Sequence, residues 1–146
     1  MSEFRFNHME ITIPKGAATP AFRDEVDAFY GDVFGFSCRQ TRMFNEDCVL
    51  MDLPTGDFIL LIEGDGPLSA PGFDHLGIRM PDRAGVDEAL GKIKAWQAKD
   101  DRVQLKEYAD AEMDGAMFHA FYVKHLLPIW FDVQSIDQPT EAELLS

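Results

Sequence analysis

Cysteine is scarce in this chain: Cys38 and Cys48 are the only two among 146 residues, in no C-x-x-C spacing. That excludes a disulfide scaffold and a thiolate metal or redox motif, and both are read as reduced, packed thiols. Positive charge is equally thin. Thirteen Lys and Arg face 26 Asp and Glu, a formal net charge of -13, so the surface repels phosphate backbones and anionic lipid. Nucleic-acid and membrane partners are therefore not expected. No stretch approaches the roughly 18 consecutive apolar residues that a spanning helix needs. Met1 to Arg5 shows no basic segment leading into an apolar one, so no secretory signal is read and the expected location is the cytoplasm. Apolar residues, 46% of the chain with twelve Phe, suffice for the core of one domain or of two small halves.

The most informative feature is an internal repeat. Phe6-Asn7-His8-Met9-Glu10-Ile11-Thr12-Ile13-Pro14 recurs as Phe73-Asp74-His75-Leu76-Gly77-Ile78-Arg79-Met80-Pro81, offset by 67 residues with four identities and three similar positions. Each copy is followed by a helix signature. After the first, Thr19 is a candidate N-cap before Pro20, and Phe22, Val26, Phe29, Tyr30 and Val33 share one face up to Gly35. After the second, Asp82 caps a stripe of Val86, Ala89, Leu90, Ile93 and Trp96. Three strands are then predicted in each half. They are Phe36 to Met43, Cys48 to Leu53 and Phe58 to Glu63, then Val103 to Tyr108, Ala116 to Lys124 and Ile129 to Gln134. Asn45-Glu46-Asp47 and Pro54-Thr55-Gly56-Asp57 read as turns. The expected organisation is a β-α-β-β-β module over 4–66, a second over 73–135 and an acidic tail over 136–146.

A histidine at the same place in both copies points to a ligand pair, because strands related by a two-fold bring both imidazoles toward the pseudo-axis. Two neutral imidazoles and one hard oxygen donor make a facial site for a divalent metal with open positions. Asp132, the only acid in the apolar strand Pro128 to Gln134, is the candidate oxygen donor. The expected metal ligands are His8, His75 and Asp132.

On these residues, with Phe29-Tyr30 followed by Phe34-Gly35-Phe36, and with Phe121-Tyr122-Val123-Lys124 leading to Trp130-Phe131-Asp132-Val133, the chain resembles the vicinal oxygen chelate superfamily. That group includes glyoxalase I, extradiol dioxygenases, fosfomycin-resistance proteins and bleomycin-binding proteins. The resemblance implies an α+β fold, two β-α-β-β-β modules forming a curled mixed sheet around a central cavity, with the metal on His8, His75 and Asp132. It also implies a homodimer. His125-Leu126-Leu127-Pro128 replaces the usual D-P-D-G turn of relatives.

The fourth acidic ligand of glyoxalase-like relatives falls on Leu60, and Glu63 has the opposite alternation, which reads as a rim residue. A two-histidine, one-carboxylate set suits Fe(II), the favoured ion, with Mn, Zn or Ni as alternatives. Candidate catalytic groups are Glu10, on the face of His8, and His119 or Tyr122, whose opposite parity lets only one face the cavity; His119 is favoured as acid or base. Arg39, Arg42 and Lys106 are candidate anion contacts, and Phe44, Phe118, Phe121, Trp130 and Phe131 a supply of rings for a planar substrate.

The expected function is a metal-dependent enzyme of the glyoxalase/dioxygenase type acting on a small-molecule substrate with adjacent oxygens. Ring cleavage of a catechol-like compound is the most concrete reaction. The alternatives are a metal-free dimer that binds a small ligand as bleomycin-resistance proteins do, and a glyoxalase-like lyase or isomerase should Glu63 point inward.

Overall fold

The computed structural model describes residues 3–138, which divide into two compact units between Ser69 and Ala70. The first contains β1 (His8–Pro14), α1 (Pro20–Phe34), β2 (Ser37–Met43), β3 (Glu46–Asp52) and β4 (Phe58–Gly64). Its sheet runs β1-β4-β3-β2, with β1 parallel to β4 and the other pairs antiparallel.

Local chemistry accounts for the helix as expected. Thr19 accepts a hydrogen bond from the Phe22 amide at 3.1 Å, Pro20 opens the first turn, and Gly35 closes the helix in the left-handed region at φ 74°. Val26, Phe29, Tyr30 and Val33 are its buried face. Strand alternation then separates two sides of the sheet. Ile11, Ile13, Ile59, Leu61, Val49 and Met51 point to one side and are buried. His8, Glu10 and Thr12 point to the other, opposite Phe58, Leu60 and Ile62 of β4.

One turn differs from the sequence reading. Glu46 and Asp47 belong to β3, and the hairpin turns on Phe44 and Asn45 alone, both at positive φ, 53° and 62°. A two-residue loop of that hand matches the twist of its flanking strands, so it displaces a longer turn.

The second unit contains β5 (His75–Arg79), α2 (Arg83–Gln97), β6 (Gln104–Glu107), β7 (Ala111–Met113), β8 (Ala116–Lys124) and β9 (Trp130–Asp137). Its sheet runs β5-β9-β8-β6, with β7 added beside β8. Asp82 caps α2 by accepting from the Gly85 amide at 2.8 Å, and Val86, Ala89 and Ile93 are buried, whereas Leu90 and Trp96 are half-buried. Strand β7 is an element the sequence reading lacks. Its signal is Asp114-Gly115, a hairpin dipeptide at φ 53° and 81°. Strand β9 runs to Asp137, so the expected tail boundary at 136 moves outward; residues 139–146 lie outside the described residues. In the turn before β9, the Leu127 amide donates to the His125 carbonyl at 2.8 Å across Leu126 at φ 66°.

The described residues are therefore mixed α+β, with open sheets of four and five strands and no closed barrel among them. No helix among the described residues is long and apolar enough to cross a membrane.

Candidate metal centre

Pairing register assigns the faces of the second unit's sheet. Lys106 on β6 pairs with Tyr122 on β8, Tyr122 with Asp132 on β9, and Asp132 with Gly77 on β5, so these four share one row and one face. His75 pairs with Trp130 in the adjacent row. The His75 and Tyr122 rings meet edge to face, 4.8 Å between centroids.

His75 and Asp132 form the core of the site. The His75 Nδ1 lies 2.8 Å from the Phe73 carbonyl oxygen. A carbonyl only accepts, so Nδ1 carries a proton, and in the neutral ring the lone pair sits at Nε2. That Nε2 stands 3.7 Å from Asp132 Oδ2. The second carboxylate oxygen, Oδ1, is buried with no hydrogen-bond partner. Burial pushes the Asp132 carboxyl up, against the opposing pull of His75 and the Tyr122 hydroxyl. A Cβ at Gly77 would meet nothing within 4 Å, so this row of β5 leaves space open beside the carboxylate.

With the ring neutral, an imidazole lone pair faces a carboxylate that has one partnerless oxygen, a donor set with room for a cation. It fits a divalent cation, with the Phe73 carbonyl orienting the ring as the outer partner of a ligating histidine does. Among the described residues, no group of three or more His, Cys, Asp or Glu side chains gathers to hold a metal ion. The second unit thus supplies two donors.

In the first unit His8 stacks flat on Phe58, 4.7 Å between centroids at 2°, and its Nδ1 is 2.8 Å from Asn7 Nδ2. So placed, the amide donates and Nε2 bears the proton; turned over, it accepts and Nε2 carries the lone pair, as in His75. Glu10 is exposed on the same face, paired in register with Leu60.

His119 is elsewhere. Alternation along β8 turns it to the face opposite Tyr122, where Nε2 lies 2.7 Å from Asp87 of α2 and Nδ1 2.7 Å from Asp110. The preference for His119 over Tyr122 is thereby reversed, because a half-buried histidine gains more from two carboxylates than from an apolar strand face. Glu63 is committed as well: its two carboxylate oxygens accept from the Gly16 and Ala18 amides at 2.8 and 2.9 Å, tying down the loop before α1. Arg39 pairs with Asp52 and Arg42 with Asp47. Phe121 and Phe131 are buried on the His119 face, and Phe44 is 81% exposed at its hairpin. Trp130 lies on the site face, and Phe118 does so by alternation. The sequence reading gives no site role to Phe73, inside the repeat, or to Tyr108, at the end of a predicted strand; both lie just outside the strands of the structure.

Among solved structures the chain is similar along nearly its whole length to the genomically encoded fosfomycin resistance protein FosX of Listeria monocytogenes. One crystal form shares 17% identity at TM-score 0.65, covering 99% of each chain. Another, a mutant complexed with Mn(II) and 1S,2S-dihydroxypropylphosphonic acid, shares 16% at TM-score 0.60, covering 99% of this chain and 100% of that one. A glyoxylase/bleomycin resistance protein/dioxygenase domain from Frankia sp. EAN1pec shares 16% at TM-score 0.63 with the same coverage. The fold is that of the vicinal oxygen chelate superfamily. Vicinal oxygen chelate architecture at these identities speaks for fold, and chemistry rests on the residues above. No protein-family model matches the chain, and no curated protein does.

Proposed function

We propose that this chain is a divalent-metal-dependent enzyme of the glyoxalase/dioxygenase type, acting on a small substrate with adjacent oxygens. The observation that carries the reading is the His75 and Asp132 pair, an imidazole nitrogen 3.7 Å from Asp132 Oδ2 with the other carboxylate oxygen, Oδ1, buried and without a hydrogen-bond partner. His8 is the proposed third donor. Fe(II) is the proposed ion, with ring cleavage of a catechol-like compound the most concrete reaction; Mn(II) is the alternative, on the analogy of FosX.

When bound, such an ion acts as a Lewis acid and a template for two neighbouring oxygens. The chain's own residues do the rest. The Tyr122 hydroxyl, on the row of Asp132, is placed to hold or pass a proton at a substrate oxygen, and the Trp130 and Tyr122 rings keep water from that side. Glu10 is the proposed base of the first unit. A lyase or isomerase using Glu63 as a fourth ligand is disfavoured, since both its oxygens are taken by backbone amides.

Elemental analysis of protein purified without chelator, wild type against His75→Ala, tests the reading. One equivalent of metal lost in the variant supports it. A wild type that carries no metal and takes up none of Fe(II), Mn(II), Zn(II) or Ni(II) overturns it in favour of a metal-free binding dimer.

A further inference from the structure

The side of the second unit's sheet that carries His75 and Asp132 also carries a cation surrounded by rings. The Lys106 ammonium lies 4.0 Å from the Phe73 ring centroid and 5.6 Å from that of Tyr108. Tyr108 is 5.0 Å from Tyr122, Tyr122 is 6.5 Å from Trp130, and Trp130 is 5.7 Å from Phe73. Four aromatic rings thus form a linked set around one ammonium. The indole N–H donates to the Gly72 carbonyl at 3.1 Å, which fixes the Trp130 plane. Phe73 and Tyr108 are nonetheless 51% and 41% exposed.

That arrangement lacks a counter-ion. Lys94 pairs with Glu107, Arg83 with Asp110 and Arg102 with Asp100, whereas Lys106 has no carboxylate within ion-pair distance among the described residues. Ring faces attract an ammonium but compensate it weakly where solvent reaches it. In a chain of net charge -13, an anion is drawn only to a local positive centre, and here that centre sits among exposed ring faces.

We propose that Lys106, with Phe73, Tyr108, Tyr122 and Trp130, forms the seat for a planar aromatic anion, an arene carboxylate. The carboxylate meets the Lys106 ammonium and the ring stacks on the exposed aromatic faces. The inference deepens the proposed function, since the seat shares a row with Asp132. Two strand spacings separate Lys106 from Asp132, roughly 10 Å between backbones, and side chains narrow that span to the size of one substituted benzene ring. Lys106 is then the specificity-determining residue, one a strand-edge lysine kept for solubility would not be.

Calorimetric titration of the full chain with benzoate, benzamide and cyclohexanecarboxylate, with and without Mn(II), tests this. Benzoate is expected to bind at least tenfold tighter than either analogue. Lys106→Met is expected to abolish that preference while leaving benzamide unchanged, with Lys106→Arg restoring it and Lys92→Gln, a cation on α2, without effect. No preference for benzoate, or a preference that survives Lys106→Met, overturns the proposal. So does a Lys106→Met variant that alters only self-association in sedimentation, which makes this face a contact between copies. Mn(II) binding followed by electron paramagnetic resonance separates the two readings. Benzoate selectivity without metal uptake sinks the proposed function and leaves the seat, and metal uptake without selectivity does the reverse.

Discussion

His75 Nε2 and Asp132 Oδ2 stand 3.7 Å apart, while the His75 Nδ1 donates to the Phe73 carbonyl on the far side of the ring. With the ring neutral, Nε2 and the carboxylate are both acceptors, and a cation between them is favoured by both. The same pair therefore governs metal affinity.

Metal addition should raise the melting temperature in proportion to the logarithm of ion concentration. An ion that binds only the native state contributes about 2.7 kcal/mol at a hundredfold excess over its dissociation constant. Differential scanning calorimetry with Mn(II) or Fe(II) under anaerobic conditions should show this for wild type and not for His75→Ala or Asp132→Ala. The same loss in His8→Ala would support the third donor.

Asp132→Asn should stabilise the metal-free protein while weakening metal binding. The amide removes a buried charge and its N–H can donate to the His75 Nε2 lone pair, a gain of about 1 kcal/mol, or roughly 2–4 °C in melting temperature. A variant less stable than the chelator-treated wild type would mean that the carboxylate has a partner worth keeping.

Glu63→Ala should cost about 1–3 kcal/mol, since it leaves the Gly16 and Ala18 amides without their acceptor. Metal stoichiometry should not change. A variant that loses metal instead would return Glu63 to the ligand set and revive the isomerase reading.

Stability should also fall as pH rises from 6.5, through His119. The hydrogen bond that its ring donates to Asp87 is the chief reason its pKa lies above the ordinary 6.5; burial opposes this, Asp110 adds to it, and the Arg83 cation detracts. On the facing strand its neighbour is Ser135. The folded state holds the proton more tightly than the unfolded chain, so the contribution is complete below about 6.5 and vanishes once pH exceeds the raised value. His119→Gln should flatten urea-derived stability across that range, and an unchanged slope would show that the contacts are not made in solution.

How far the residues foretold this arrangement depends on the kind of signal. Helix ends were readable from single residues: Thr19, Pro20, Gly35 and Asp82 each act within a few positions of chain. The repeat of His8 and His75 was readable because duplicated modules place equivalent residues at equivalent strand positions. Strand β7 was missed although Asp114-Gly115 marks it, since three residues are too few for alternation to show. Glu63 stands on the opposite side of β4 from Leu60, as strand alternation implies, and accepts from the Gly16 and Ala18 amides.

Local chemistry, then, determined the α+β class, the modules, the caps and the parity that keeps His119 and Tyr122 on opposite faces. Which of those two faces carries His75 and Asp132 was decided by tertiary structure, because parity says only that neighbours differ. Packing against α2 placed Asp87 beside His119, and cross-strand register placed Tyr122 beside Asp132. Pairings between residues tens of positions apart depend on strand order and helix docking, which no window of sequence contains.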